Sequence, residues 1–238
     1  MKTDRRDFLA GIGSLGAGLV LSGCVNANKI SQKEKEAKDG EVTATEDLMR
    51  EHGVLRRALF VYSEAAARLR RNPSAVAPDA LAKTAKLFRT FGEDYHEKKL
   101  EEAYIFPAVK KAGGQAASLP DILIVQHNRG REITDYILAV ARGAKIDTNK
   151  VEPLAQAMRS LVRMYRPHAA REDTIVFPAW KETLTAEQLD EMNDKFEDIE
   201  RQMLGENGFE NAVKQISEIE RELGMADLSQ FTAPPVKT

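Results

Sequence analysis

Histidine and cysteine are scarce in this chain of 238 residues, which has four histidines and one cysteine. A single cysteine cannot form a disulfide within the chain, and it cannot supply a thiolate cluster for a metal. The chain also lacks an excess of charge of either sign, because 35 lysines and arginines nearly balance 37 acidic residues. This balance argues against nucleic acid as a partner. Hydrophobic residues at 42% and charged residues at 30% exclude a disordered chain and a multi-span membrane protein.

The first 27 residues have the features of an export signal. Arg5 and Arg6 precede an apolar run over residues 9–21, which is too short to span a bilayer comfortably. This pattern resembles a twin-arginine signal, and the Leu-Ser-Gly-Cys that ends it resembles a bacterial lipobox. The resemblance implies cleavage before Cys24, lipidation of its thiol, and a protein held on the lipid bilayer in the periplasm or cell envelope.

Two other readings of this segment remain open. One is simple cleavage after Ala27, where small residues provide a possible site, and the other is an uncleaved signal that serves as an anchor helix. We favour the lipobox because the only cysteine in the chain falls where the lipobox needs one. Residues 28–42 are polar and are interpreted as a tether. Twin-arginine signals as a class export folded proteins, commonly with a cofactor already installed, which directs attention to metal sites.

Helical spacing dominates the rest of the sequence. Apolar residues recur every three or four positions, and runs of β-branched alternation are absent. The pattern predicts an all-α fold, an up-down-up-down four-helix bundle with additional C-terminal helices. The bundle occupies residues 43–183, and the extension and tail occupy residues 184–238. The predicted helices span residues 43–72, 78–111, 119–142 and 150–183, followed by a segment at 185–222 that is interrupted near residues 205–208.

Each of the four predicted bundle helices carries one histidine: His52, His96, His127 and His168. Glu172 follows His168 by four residues, so the two side chains lie about 40° apart on one helical face. A carboxylate in an apolar stripe is costly unless it is paired or bound to a metal.

A weak internal repeat places a second carboxylate at an equivalent position. Glu101 and Glu172 each precede a Phe-Pro-Ala by five residues. Two glutamates facing each other, with a histidine from every helix, have the composition of a carboxylate-bridged dinuclear site.

With this arrangement the sequence resembles the hemerythrin-like (HHE) domain family. The resemblance covers about residues 43–183, and its motifs are Glu51-His52, Tyr95-His96-Glu97, Gln126-His127, His168 with Glu172, and two Phe-Pro pairs. It implies two non-haem iron ions inside the bundle. Glu101 and Glu172 would be the bridges, and the four histidines would be terminal ligands.

The sequence departs from the family pattern in two respects. Oxygen-carrying hemerythrins use five histidines, and one family position, four residues after the third-helix histidine, is Arg131 here. Glu101 follows His96 by five residues, an offset of about 140° on an α-helix. The Phe-Pro alignment instead places Glu97 opposite His168. We therefore hypothesise that Glu97 joins or replaces a terminal histidine; the alternative is that it is an exposed surface charge.

The resemblance implies a protein that binds dioxygen, nitric oxide or peroxide for sensing, storage or protection. One alternative is an enzyme, namely a di-iron peroxidase, nitric oxide reductase or iron–sulfur repair protein, although the sequence contains no Cys-rich module that would identify an electron donor. A second alternative is a metal-free envelope lipoprotein, in which His127 and the other histidines would be ordinary core residues.

Overall fold

The computed structural model describes residues 42–236, and within this range the chain is helical apart from short connections and contains no strand. The predicted signal segment, the lipidation at Cys24 and the tether up to residue 41 lie outside the described residues. Between residues 42 and 236, no helix combines the length and the apolar character needed to cross a membrane.

The first bundle helix, α1, spans Ala44–Arg71. Thr43 begins it with a capping box, in which the Thr43 hydroxyl accepts from the N–H of Glu46 and the Glu46 carboxylate accepts from the N–H of Thr43. Asn72 ends it in extended backbone just before Pro73. The predicted limits of 43–72 are therefore confirmed to within one residue.

The second and fourth bundle helices each contain a π-helical segment. The second consists of α2 (Pro78–Leu87), π1 (Phe88–Ile105) and α3 (Phe106–Ala112). The fourth consists of α5 (Thr148–Arg171), π2 (Glu172–Val176) and α6 (Phe177–Glu182).

The repeated Phe-Pro explains where both π segments end. A proline ring clashes with the carbonyl four residues earlier, and it cannot donate to that carbonyl. The helix widens instead, so the N–H of Phe106 donates to the carbonyl of Glu101, five residues back. Phe177 donates to Glu172 in the same way. One local sequence therefore produces the same distortion in two helices.

The third bundle helix, α4, spans Pro120–Val140 and runs antiparallel to the second. As the residue number increases along the second helix, the number of its contact partner on α4 decreases. The contacts are Arg89 with Asp135, Glu93 with Thr134, Glu102 with His127, and Lys110 with Asp121. The first and fourth helices are antiparallel by the same criterion, from His52 with Asp173 to Arg70 with Glu152. The predicted up-down-up-down bundle is confirmed.

Two further helices, α7 (Ala186–Leu204) and α8 (Gly208–Glu222), form a C-terminal helix pair against the bundle. Gly205, with a φ of 88°, ends α7 and confirms the predicted interruption. The pair is held by apolar packing, such as Phe196 stacked on Trp180, and by ion pairs, such as Glu220 with Arg57 of α1.

The packing of Tyr165 of α5 against α4 requires a glycine at residue 130. A Cβ at Gly130 would lie 2.2 Å from the hydroxyl oxygen of Tyr165, whereas a Cβ at Gly53 of α1 would meet nothing within 4 Å. We expect Gly130→Ala to lower the free energy of unfolding by about 1–3 kcal/mol, since the buried Tyr165 side chain must shift. Gly53→Ala should raise it by about 0.5–1 kcal/mol, because it only relieves the helical cost of glycine.

Urea unfolding of both variants beside the wild type measures these changes. Equal changes in the two variants would show that the space at residue 130 does not govern the packing of α4 on α5.

Candidate metal centre

The four histidines meet at one level inside the bundle, where they form two pairs. In the first pair, Nε2 of His52 lies 3.0 Å from Nε2 of His96. In the second pair, Nε2 of His127 lies 3.1 Å from Nε2 of His168. All four side chains are buried. The structure therefore brings together the histidines that the sequence distributes over four helices.

Glu101 lies between the two pairs and points one carboxylate oxygen at each. Its Oε1 is 3.3 Å from Nε2 of His96, and its Oε2 is 3.4 Å from Nε2 of His127. The α-helical offset of about 140° between His96 and Glu101 is wrong for this chain. Both residues belong to π1, whose wider turn returns a five-residue spacing to the same face.

Glu172 bridges the pairs from the opposite helix. Its Oε1 is 3.0 Å from Nε2 of His168, and its Oε2 is 3.6 Å from Nε2 of His52. The two glutamates thus complete two groups of possible metal ligands, each with donor atoms within 4.8 Å of one another: His52, His96 and Glu101, and His127, His168 and Glu172.

The carboxylate oxygens at the centre have no hydrogen-bond partner. Both oxygens of Glu101 and both oxygens of Glu172 are buried, and none of them accepts a hydrogen bond. Buried carboxylates are costly unless a cation or a donor balances them. A metal cation supplies that partner, and a set of imidazole and carboxylate ligands suits first-row transition metals such as iron. The residues present therefore fit a metal site.

A carboxylate or amide oxygen faces the outer nitrogen of every histidine ring. The Nδ1–H of each ring donates over 2.6–2.8 Å, which leaves Nε2 directed at the centre. The four pairs are His52 with Asp173, His96 with Glu51, His127 with Glu102, and His168 with Gln126.

These four acceptors have no assigned role in the sequence-based prediction, although the sequence contains a signal for them. Each is the immediate neighbour of a predicted ligand, and each contacts a histidine on an adjacent helix, so the contacts form a closed ring around the bundle: Glu51 beside His52, Glu102 beside Glu101, Gln126 beside His127, and Asp173 beside Glu172.

Charges at the centre shift the pKa values of Glu172 and His127. Burial by itself would raise the pKa of Glu172, but the charge of His168 and the closeness of the His127 and His168 rings outweigh it and hold the pKa well below its usual value. Burial would lower the pKa of His127, but the charge of Glu97, the hydrogen bond to Glu102 and the closeness of Glu172 raise it well above its usual value. In the metal-free protein these shifts favour an ionised Glu172 beside a protonated His127, and a bound metal cation would replace the proton.

Glu97 is buried, with 1% of its surface exposed, so its interpretation as an exposed surface charge is wrong. The Tyr165 hydroxyl donates to its Oε1 over 2.6 Å, and Arg131 donates to its Oε2 over 3.1 Å. Its Oε2 lies 3.9 Å from Nδ1 of His127, the outer nitrogen of that ring. Glu97, Glu102 and His127 form a third group that could hold a metal. Arg131 contacts both carboxylates of this group.

A small cavity adjoins the histidines. Its volume of about 10 Å³ gives room for about one water-sized molecule. Glu97 and Tyr165 line it together with ligand candidates from both pairs, and Leu55 and Leu59 supply apolar walls. Burial, and then the charge of Glu97, raises the pKa of Tyr165 well above its usual value, so its phenol keeps a proton beside the cavity.

Comparison with known proteins gives one family and a small set of relatives. Residues 43–180 match the family described as the hemerythrin HHE cation binding domain. A protein of Mycobacterium tuberculosis and one of Mycobacterium bovis, both described as uncharacterized, are 42% identical to this chain over 233 residues. The similarity covers 95% of this chain and 90% of each relative. No solved structure matches the chain significantly.

Removing one central charge should have opposite effects on stability and on metal binding. We expect Glu101→Gln to raise the free energy of unfolding of the metal-free protein by about 1–3 kcal/mol, because an amide is cheaper to bury than an unpartnered carboxylate. The same change should lower the affinity for Fe²⁺ by more than the roughly 10–100-fold typical of outer hydrogen-bonding partners.

Denaturant unfolding without metal and titration with Fe²⁺ measure the two effects. Glu132→Gln, on an exposed side chain of α4, is the control and should change neither. A Glu101 variant that lost stability and bound iron normally would contradict a metal site between the two pairs.

Proposed function

The chain belongs to the hemerythrin HHE cation-binding family, and from the geometry of its site we propose that it holds two iron ions and binds a small ligand beside them. The first ion would bind His52 and His96, the second His127 and His168, with Glu101 and Glu172 as bridges. The observation that carries this proposal is the set of four unpartnered carboxylate oxygens between two histidine pairs. Iron supplies a redox-active centre with room for an external ligand.

The cavity limits the size of that ligand. A volume of about 10 Å³ is near the least that holds one water, so only the smallest ligands are candidates, and dioxygen, nitric oxide and peroxide are of this class. Sensing, storage or protection are roles that such binding serves. The chain's own contribution is to exclude bulk water, because every proposed ligand is buried, and to hold the rings in one orientation through their outer hydrogen bonds.

A ligand role for Glu97 stays a prediction. To bind a metal, its carboxylate would have to exchange contacts with Tyr165 and Arg131 for contacts at the centre. In its present position Glu97 instead holds the Tyr165 hydroxyl beside the cavity.

The position of Tyr165 is also the observation that favours the enzymatic alternative. The Tyr165 phenol keeps its proton and lines the cavity, and by exchanging its bond to Glu97 for one to a bound ligand it could donate a hydrogen bond or a proton to that ligand. A di-iron peroxidase, nitric oxide reductase or repair protein would use such a donor. We place ligand binding first because it requires only the site itself, whereas turnover requires an electron donor as well.

Iron analysis with absorption spectroscopy tests the metal site. We expect the purified protein to contain about two iron ions per chain and its visible spectrum to change on addition of dioxygen, nitric oxide or peroxide.

Glu97→Gln should alter the spectrum if Glu97 is a ligand, and an unchanged iron content and spectrum would remove it from the ligand set. A chain that binds no iron, or one ion, would overturn the dinuclear proposal.

Stopped-flow measurements separate binding from catalysis. A pure binder should show one ligand-binding event per site when mixed with peroxide or nitric oxide, even with a chemical reductant present. Repeated turnover with the reductant would favour the enzyme. Tyr165→Phe should then slow turnover on the order of 10²-fold, as expected for the loss of a proton donor.

We also propose that the protein is exported and anchored to the cell envelope through a lipid on Cys24. Support comes from the sequence, where the only cysteine ends an apolar run that follows two arginines. We expect Cys24→Ser to move the protein from the membrane fraction to the soluble fraction of fractionated cells. The substitution removes the attachment point of the lipid, and stable anchoring needs more than one acyl chain. A variant that stayed in the membrane fraction at its full length would instead indicate an uncleaved anchor helix.

A further inference from the structure

The C-terminal helix pair reaches the outer contacts of the metal centre through Glu200. Glu200 lies on α7, and only 5% of its surface is exposed. Its Oε1 accepts a hydrogen bond of 2.7 Å from the N–H of Phe209, in the first turn of α8. Its Oε2 lies 3.5 Å from the hydroxyl of Tyr95 in the bundle. One carboxylate thus joins α7, α8 and the second bundle helix.

The local sequence fixes Glu200 in this place. Asn207 precedes α8 and makes no side-chain cap, so the Glu200 carboxylate provides the acceptor at that helix end, where negative charge is favoured. Gly208 leaves room for it, because a Cβ there would lie 2.7 Å from Oε1 of Glu200. The position of Glu200 therefore depends on how α8 begins.

Tyr95 continues the contact toward the metal centre. Its side chain is fully buried, and its hydroxyl donates to Oε1 of Glu51 over 2.9 Å. The other oxygen of Glu51 accepts the Nδ1–H of His96 over 2.6 Å. Glu51 and Glu200 both face the Tyr95 hydroxyl. Because a phenol has one proton to donate, the nearer carboxylate, Glu51, receives the hydrogen bond.

We propose that Glu200 and Tyr95 are positioning residues, through which the docked C-terminal helix pair sets the orientation of Glu51 and His96 and so the metal affinity of the first pair. The proposal rests on the proposed function, because it concerns the same centre. Glu200 acts on the Tyr95 hydroxyl. Its Oε2 is a second acceptor beside the one phenol proton, so the position of Glu200 sets how that hydroxyl is oriented toward Glu51.

Two substitutions test this connection in the full-length protein. Glu200→Gln removes the charge and keeps an oxygen for the N–H of Phe209, and Tyr95→Phe removes the hydroxyl. We expect each to weaken Fe²⁺ binding at the first pair by about tenfold, as is typical of outer partners. Because Glu200 acts largely through Tyr95, the double variant should lose much less affinity than the product of the two single losses.

A readout on the metal-free protein separates positioning from general loss of stability. The NMR signal of His96 Nδ1 reports the strength of its N–H bond to Glu51, so both variants should shift it. Glu220→Gln is the matched control, because Glu220 also belongs to the helix pair. Its hydrogen bonds are with Arg57 of α1 and not with Tyr95. It should destabilise the docked pair and leave the His96 signal and the iron affinity as in the wild type.

The outcomes are distinct. If the wild type binds iron and Glu200→Gln changes neither the affinity nor the His96 signal, the connection is overturned. Additive losses in the double variant would also overturn it, because the two residues would then act independently. If the wild type binds no metal, the proposed function fails, and the His96 signal of the metal-free protein still decides whether Glu200 acts through Tyr95.

Discussion

Two buried carboxylates that have no hydrogen-bond donor are the constraint on which the rest of the structure depends. Glu101 and Glu172 place four anionic oxygens at the centre of an apolar bundle. This arrangement is tolerable only where cationic partners surround it, and the nearest partners are the four histidine rings. Protons on those rings or a bound metal can balance the charge. Stability and metal binding are consequently linked at the same atoms.

The π segments deliver these carboxylates to the centre. Pro107 and Pro178 begin new α-helical segments and have no N–H to donate to the carbonyls four residues earlier, and the preceding phenylalanines donate five residues back. The widening turns Glu101 onto the face of His96 despite their five-residue separation. A π turn is less stable than an α turn, so the chain accepts a local cost in the backbone where the site requires a particular direction of a side chain.

The two histidine pairs have different outer hydrogen-bond partners. The first pair is backed by two carboxylates, Glu51 and Asp173. The second pair is backed by the amide of Gln126 and by Glu102, whose charge is shared with Arg131. Asp173 also shares its charge with Arg56, and the buried Glu97 lies 3.9 Å from Nδ1 of His127. Each pair therefore has two carboxylates and one arginine close to it, although the acceptors of its ring N–H groups differ.

The amino-acid sequence by itself determined the helices, the bundle, and the four histidines and two glutamates that meet at its centre. Each of these follows from a local spacing of about 3.6 residues or from a short repeat. It did not determine the burial of Glu97 or the outer partners of the rings. Those contacts join residues from 25 to 121 positions apart, and they depend on the rotation of each helix about its axis. That rotation is decided by packing between helices and by the π turns, so only the tertiary structure could show which oxygen faces which ring.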